Sequence, residues 1–392
     1  MRKTLKYRHL TEEAEAVAFA RILSWAFAVP EVEAPRWIEH SRPENVRLVI
    51  LDGEVVGGLF LLPMAQWFGE HAVSMWGVQG VAVAPEHRGR GVGRELMRNA
   101  LLEMTERCVP LSTLYPSVLG LYRAVGYEPA GSRYRIRVGP SDIALTEREL
   151  SVAPITEADE ADVEETYRRF AACTPGYLDR NRCIWDRVRQ PGNQAAHGYL
   201  VRRRKAVEGY LYATQGPKDA DGRHALELTD FVALTPRATR HLLTFLGDHR
   251  SVVREVSWFG GPASGLVAVL PEHRYHSELA SLWASRIVDV QLALSSRGYP
   301  PIDAELGFEV IDPIMRQNND RFMLEVSRGT GTVRRGGVAD MRIHVRGLAA
   351  LFTGHLSPYA LLRAGLLQAD PEDLQTAAAL FAAPAPCMPD MF

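Results

Sequence analysis

Apolar and polar positions alternate with two different periods along the 392-residue chain, and the switches between them mark the elements. Thr4 to Leu10 reads as a first strand. Thr11 to Phe27 carries apolar residues at Val17, Ala18, Ile22, Trp25 and Ala26, one face of a helix, with Thr11 as N-cap. Arg47 to Leu62 is an apolar hairpin broken at Asp52-Gly53, the usual pair for a type I′ turn. Val78 to Ala84 is a β-branched strand closed by Pro85, and a helix follows with Val92, Leu96, Ala100, Leu101 and Met104 on one face. A strand at Leu111 to Tyr115, a short helix from Val118 to Val125 ended by Gly126, and a strand from Ser132 to Val138 complete this region.

After Gly139-Pro140 the order begins again. Leu150 to Val152 and Thr156 to Ala172 repeat the opening strand and helix. Gly198 to Val201 and Val207 to Leu211 repeat the hairpin about a basic turn, Arg202-Arg203-Arg204-Lys205, read as a solvent face. Phe231 to Arg237 precedes a helix with Leu242, Leu243 and Leu246. This is an internal duplication. From about Arg286 the pattern changes to short strands (Asp303 to Ile311, Arg321 to Val326, Thr332 to Arg335, Ala339 to Val345) and helices (Val288 to Ser296, Leu348 to Thr353, Pro358 to Leu366, Pro371 to Phe381). The expected fold class is α/β in three domains, 1–140, 141–285 and 286–392.

The chemistry concentrates between the Val78 strand and its helix, in Arg88-Gly89-Arg90-Gly91-Val92-Gly93. Glycines allow close backbone approach, and the helix start presents unpaired N–H groups and the positive end of its dipole. A strand, a basic Gly-rich turn and a helix N-terminus make a pyrophosphate site. No Lys lies in the turn, so it is not a P-loop, and no acidic residue follows at dinucleotide spacing. The run V-x-V-x-P-x-x-R-G-x-G-x-G resembles the pyrophosphate motif of GNAT acetyltransferases. That resemblance implies acetyl-CoA as cosubstrate, with Val81, Ala82 and Val83 along its pantetheine arm and Arg88, Gly89, Arg90, Gly91, Val92, Gly93 and Arg94 at its pyrophosphate. In the second copy Ala238-Thr239-Arg240 replaces the glycines, so that copy is expected not to bind coenzyme A and to serve structure, as a wall of the substrate cleft.

The run Gly120-Leu121-Tyr122-Arg123-Ala124-Val125-Gly126-Tyr127 resembles the late GNAT motif whose first tyrosine protonates the departing thiolate, here Tyr122. Ser117 and Val118 fall where the family touches the cofactor again, and Tyr127 reads as structural. With a degenerate second GNAT copy and a sterol-carrier-like last module, the chain resembles the Eis family of N-acetyltransferases over essentially its whole length. The resemblance implies a hexamer and an acceptor site near Phe27, Trp37 and Gly80. It also implies that the α-carboxylate of Phe392 enters the active site and accepts the amine proton. A free α-carboxyl, with pKa near 3.3–3.7, is a weak base unless desolvated. Ala26 to Pro30 has no acid where broad aminoglycoside acetylators have one, and with Met391 penultimate, Asp390 is the nearest carboxylate.

A formal net charge of −2 gives no reason to expect nucleic acid or an anionic membrane as partner. Cys108, Cys173, Cys183 and Cys387 lie far apart, which points to free thiols in a reducing compartment. The N-terminus is basic without an apolar core, so a cytoplasmic protein is expected. No metal is expected; His273 and His276 are read as a solvated loop. The expected activity is acetyl transfer to a primary amine, of aminoglycoside type or another, by a homo-oligomer. A non-catalytic acyl-CoA sensor and a lipid carrier are the alternatives.

Overall fold

The computed structural model describes residues 5–192 and 194–392. The first half runs β1 (Lys6–His9), α1 (Glu13–Phe27), α2 (Ala34–Ser41), β2 (Val46–Leu51), β3 (Glu54–Phe68), β4 (His71–Val83), α3 (Val92–Glu106), β5 (Leu111–Leu114), α4 (Leu119–Arg123) and β6 (Glu128–Val138). Thr4 of the expected first strand lies outside the described residues. Residue alternation along β3 explains its unbroken apolar run. Leu59 and Leu61 face α3, whose Leu96, Met97, Leu101 and Met104 are fully buried, while Phe60 and Leu62 face α1. Each such large side chain contributes about 2 kcal/mol of burial.

The second half repeats this order with α5 (Pro140–Ile143), β7 (Ser151–Pro154), α6 (Glu160–Ala172), β8 (Leu178–Asp179), α7 (Arg182–Arg189), β9 (His197–Arg203), β10 (Ala206–Gln215), β11 (His224–Ala233), α8 (Pro236–Gly247), β12 (Val253–Gly260) and β13 (Tyr275–Ile287). Its last strand does not stay with its own half. The 13-stranded sheet has the path β1-β2-β3-β4-β5-β13-β6-β12-β11-β10-β9-β7, with β8 on β3. Strand β13 lies between β5 and β6, and β6 lies between β13 and β12, all antiparallel. The halves have exchanged their closing strands and share one sheet.

The rest comprises α9 (Val290–Ser296), β14 (Ala304–Ile311), β15 (Arg321–Ser327), β16 (Thr330–Arg335), β17 (Met341–His344), α10 (Val345–Thr353), α11 (Pro358–Arg363), β18 (Leu367–Ala369) and α12 (Pro371–Leu380). Its strands form a separate sheet, β16-β15-β14-β17-β18. Helix α10 packs on β6 and β13. A fully buried ion pair from Arg286 on β13 to Asp312 (2.6 Å) ties the module to the shared sheet. His276 belongs to β13 rather than to a loop, although its side chain is exposed as expected of a solvated position.

Candidate active site

Strands β4 and β5 hydrogen-bond in parallel only from Met75↔Leu111 to Gly77↔Thr113. Beyond that point β5 ends while β4 continues to Val83 with β3 along its other edge. The edge of β4 from Val78 onward therefore faces a gap instead of a strand. A bulge at Gly80, whose φ is +61°, bends the strand there. The gap opens into a cavity of about 870 Å³.

The cavity brings together seven of the residues singled out from sequence: Phe27, Trp37, Gly80, Val81, Ser117, Tyr122 and Phe392. Phe27, at the end of α1, and Trp37, on α2, form one aromatic wall with ring centroids 5.2 Å apart. Ala82 and Val92 bury their side chains in the two cores, so only their backbone is available to a ligand. Arg88, Gly89, Arg90, Gly91 and Arg94 are exposed where β4 gives way to α3, and Val83 and Gly93 are half-buried beside them. Val118 is exposed and does not line the cavity.

The turn itself fits an anion. Gly89 and Gly91 have φ of +73° and +83°, and a side chain built at either would meet no atom within 4 Å. Gly91 is the N-cap of the 15-residue α3, so the first amides of that helix open onto free space. Arg88 donates from Nε to the Val83 carbonyl (3.2 Å), which fixes the turn against the end of β4. The equivalent turn of the second half is closed. Thr235 and Arg237 at the start of α8 both bind the carboxylate of Glu208, with Arg237 bidentate at 2.6 and 2.8 Å. The Arg237 guanidinium holds that carboxyl below its usual range. A protein carboxylate occupies the Thr235 and Arg237 side chains there, and Thr235 Oγ1 caps the Ala238 N–H.

Tyr122 sits on α4 with its ring edge-on to Tyr127 at 6.0 Å. Burial raises its phenol above the ordinary value, against a smaller downward pull from Ser117, so it stays protonated at neutral pH. Tyr127 is wholly buried and bonded to Ser112 (2.7 Å), as a structural residue would be.

The tail after α12 crosses the shared sheet to reach the cavity. The Met388 N–H donates to the Ser132 carbonyl of β6 and the Ser132 N–H donates to the Pro386 carbonyl, both at 3.1 Å. Tyr115 donates to the carbonyls of Met388 and Asp390 (3.0 and 2.9 Å), and Arg133 donates to that of Pro389 (2.8 Å). The Phe392 ring packs so tightly on Gly77 that a methyl group there would come within 2.6 Å of it.

Asp390 does not face the substrate space. It is enclosed with Arg180, which bridges it (2.9 Å) to Asp230 on β11 while lying 3.7 Å over the Tyr167 ring. A carboxylate held in that way is not available to attract an amine. The acid that does line the cavity is Asp186, on α7, next to Arg187 and Gln190. Helices α2 and α7 supply His40, Ser41, Asp186 and Arg187 to the site, and the sequence reading missed all four. The α7 sequence, RCIWDRVR, carries an amphipathic pattern that marks a helix but not a cavity wall.

Among the described residues there is no cluster of three His, Cys, Asp or Glu placed to hold a metal, and no helix is long and apolar enough to cross a membrane.

Models of the acetyltransferase (GNAT) domain match residues 6–130 and 176–287, and a sterol carrier protein domain matches 290–389. An uncharacterized N-acetyltransferase of Streptomyces coelicolor is 30% identical over 315 residues, 74% of this chain and 73% of its own. The N-acetyltransferase Eis of Mycobacterium tuberculosis is 26% identical over 318 residues, 73% of this chain and 74% of that one. The crystal structure of a GCN5-related N-acetyltransferase from Anabaena variabilis superposes with a TM-score of 0.93 at 32% identity, covering 99% of this chain and 100% of that one. Eis1 of Mycobacterium abscessus shares the fold (TM-score 0.82, 23% identity, 99% and 100% covered). The splayed strand, the open glycine turn and these likenesses agree on acetyl-CoA as cosubstrate. The chain is an acyltransferase that belongs to the Eis-like GNAT N-acetyltransferases, with two GNAT units followed by a sterol-carrier unit.

Proposed function

We propose that this N-acetyltransferase acts on primary amines by direct transfer, with Tyr122 as general acid and the α-carboxylate of Phe392 as general base. The observation that carries this reading is that Tyr122 and Phe392 line one cavity with the free edge of β4. Bound acetyl-CoA supplies the acetyl thioester. The exposed amides of Gly89 to Gly93 and the start of α3 hold its pyrophosphate, and the β4 edge from Val81 to Val83 aligns its arm. The Phe392 carboxylate accepts the proton that the amine loses as its N–C bond forms. Tyr122 Oη gives a proton to the sulfur as the C–S bond breaks. Phe27, Trp37 and Gly80 shape the acceptor side.

The test follows thiol release from acetyl-CoA over a panel of amines, for the wild type, Tyr122→Phe and a variant with one residue appended after Phe392. Tyr122→Phe is expected to lose about a hundredfold in kcat. The extended variant is expected to lose turnover while still binding acetyl-CoA. Full activity in the extended variant would remove Phe392 from the role of base. Sedimentation of the same preparation tests the hexamer that the family resemblance implies.

A further inference from the structure

One cation in the cleft, Arg187, makes no ion pair among the described residues. Arg187 on α7 lines the cavity, and its Nη2 donates to Gln79 Oε1 (2.8 Å) and Ser41 Oγ (3.4 Å). Its Nη1 donates to the Met391 carbonyl (3.2 Å). All three acceptors are neutral, and the Nε–H and a second Nη1–H have no acceptor among the described residues. A guanidinium offers five donors in a rigid fork that matches a carboxylate, so its capacity is part-used. Burial pulls it below its ordinary value, against weaker upward pulls from Cys183 and Asp390, yet an arginine remains charged. Asp186 does not compensate it. Neighbours on a helix diverge by about 100°, and Asp186 is exposed where the cavity meets a second, polar cleft between α6 and α7. The other ionisable groups of the cavity are His40, Tyr115, Tyr122 and Cys183, with the Phe392 terminus. The same cavity is lined by the apolar pair Phe27 and Trp37.

We infer that the acceptor is a primary amine on an apolar or aromatic body that also bears a carboxylate. The carboxylate pairs with Arg187, the body lies on Phe27 and Trp37, and the amine reaches the part of the cleft lined by Tyr122 and Phe392. This rests on the acetyl-transfer reading above and adds the identity of the acceptor. Polycationic amines are the disfavoured class. A second positive charge about 6 Å from Arg187, at an effective dielectric of about 20, lowers occupancy on the order of a hundredfold.

The experiment compares kcat/KM for para-aminomethylbenzoate, benzylamine and a polycationic aminoglycoside. The first two differ only in the carboxylate. The readout is the ratio of the two rates within one protein, which a general loss of activity or a loosened tail does not move. The wild type is expected to favour para-aminomethylbenzoate over benzylamine by on the order of tenfold, the scale of one charge-assisted hydrogen-bonded pair. Arg187→Gln is expected to bring the ratio near one, Arg187→Glu to invert it in favour of benzylamine and to raise turnover of the aminoglycoside, and Arg187→Lys to keep part of it. Benzoate is expected to inhibit wild-type benzylamine turnover competitively, a measurement that requires no variant.

A wild-type ratio at or below one, or a ratio unchanged in Arg187→Gln, would overturn the assignment while leaving acetyl transfer standing. Absence of thiol release with every amine would overturn the acetyl-transfer reading and this inference with it.

Discussion

Asp390→Asn removes one charge from the enclosed cluster that holds the tail, and its effect can be worked from the contacts. Arg180 has no exposed side-chain surface and reaches Asp390 through Nε at 3.1 and 3.0 Å and through Nη2 at 2.9 Å. Deleting one partner of a buried ion pair costs about 3–5 kcal/mol. Arg180 keeps Asp230 and an amide keeps the volume, so the lower end, about 3 kcal/mol, applies. At about 1.4 kcal/mol per tenfold, the docked tail becomes on the order of a hundredfold less populated relative to the released one. The hydrogen bonds from Tyr115, Arg133 and Arg187 remain, at about 1 kcal/mol each, and soften this without replacing it. Under the proposed mechanism kcat falls between tenfold and a hundredfold while the KM for acetyl-CoA stays unchanged, because the α3 turn is untouched. Carboxypeptidase should also remove Phe392 and Met391 faster from the variant than from the wild type. Wild-type kcat together with wild-type resistance to the peptidase would refute the anchoring role. Arg180→Met leaves two buried carboxylates unpaired and should lower Tm further than Asp390→Asn does.

Gly91→Val places a side chain in the open space at the α3 N-cap and a β-branched residue at φ +83°, so the KM for acetyl-CoA should rise at least tenfold, checked by thiol-release kinetics, with a folding cost of about 1–2 kcal/mol. Thiol labelling at pH 8 should be fast at the exposed Cys108 and Cys173 and slow at Cys183 and Cys387. Burial pushes the Cys387 thiol up to about 12, and denaturant should release both slow sites, read by mass spectrometry. The Arg8 guanidinium holds Glu15 down at about 2, from an ordinary 4.5. A carboxyl depressed by folding stabilises above its unfolded pKa, so this pair's contribution is complete near neutrality and lost as pH falls from about 4.5 towards 2. Arg8→Gln should therefore lower Tm at pH 7 and make no difference below pH 2.

Strongly periodic or motif-bearing segments were legible from sequence. The α3 face, the Asp52-Gly53 hairpin and the Arg88 to Gly93 turn follow from local spacing, whereas Tyr122 was singled out by the likeness of its segment to a family motif; the structure sets the turn between β4 and α3 and Tyr122 in the cavity. The parts missed depend on distant partners. Strand β13 reads YHSELASLWASRI, exposed at its start and buried at its end, with no β-branched run to announce it. Its place between β5 and β6 is set by pairings more than a hundred residues apart. Helix α7 carries an amphipathic pattern, but nothing in it shows that Arg187 would meet Gln79 of β4 and the carbonyl of Met391. That Asp390 is the carboxylate nearest the tail's end is local information, whereas its burial against Arg180 is not.

The exchange of β6 and β13 also has a kinetic meaning. When β5 leaves the ribosome its open edge has no permanent neighbour, because the strand that covers it ends at Ile287. Roughly 170 residues must still be made, on the order of ten to thirty seconds at ordinary synthesis rates. During that interval the nascent chain exposes unpaired strand edge of the kind that invites intermolecular pairing. A ribosome-bound fragment ending at β6 should recruit chaperones, and one extending past Ile287 should release them.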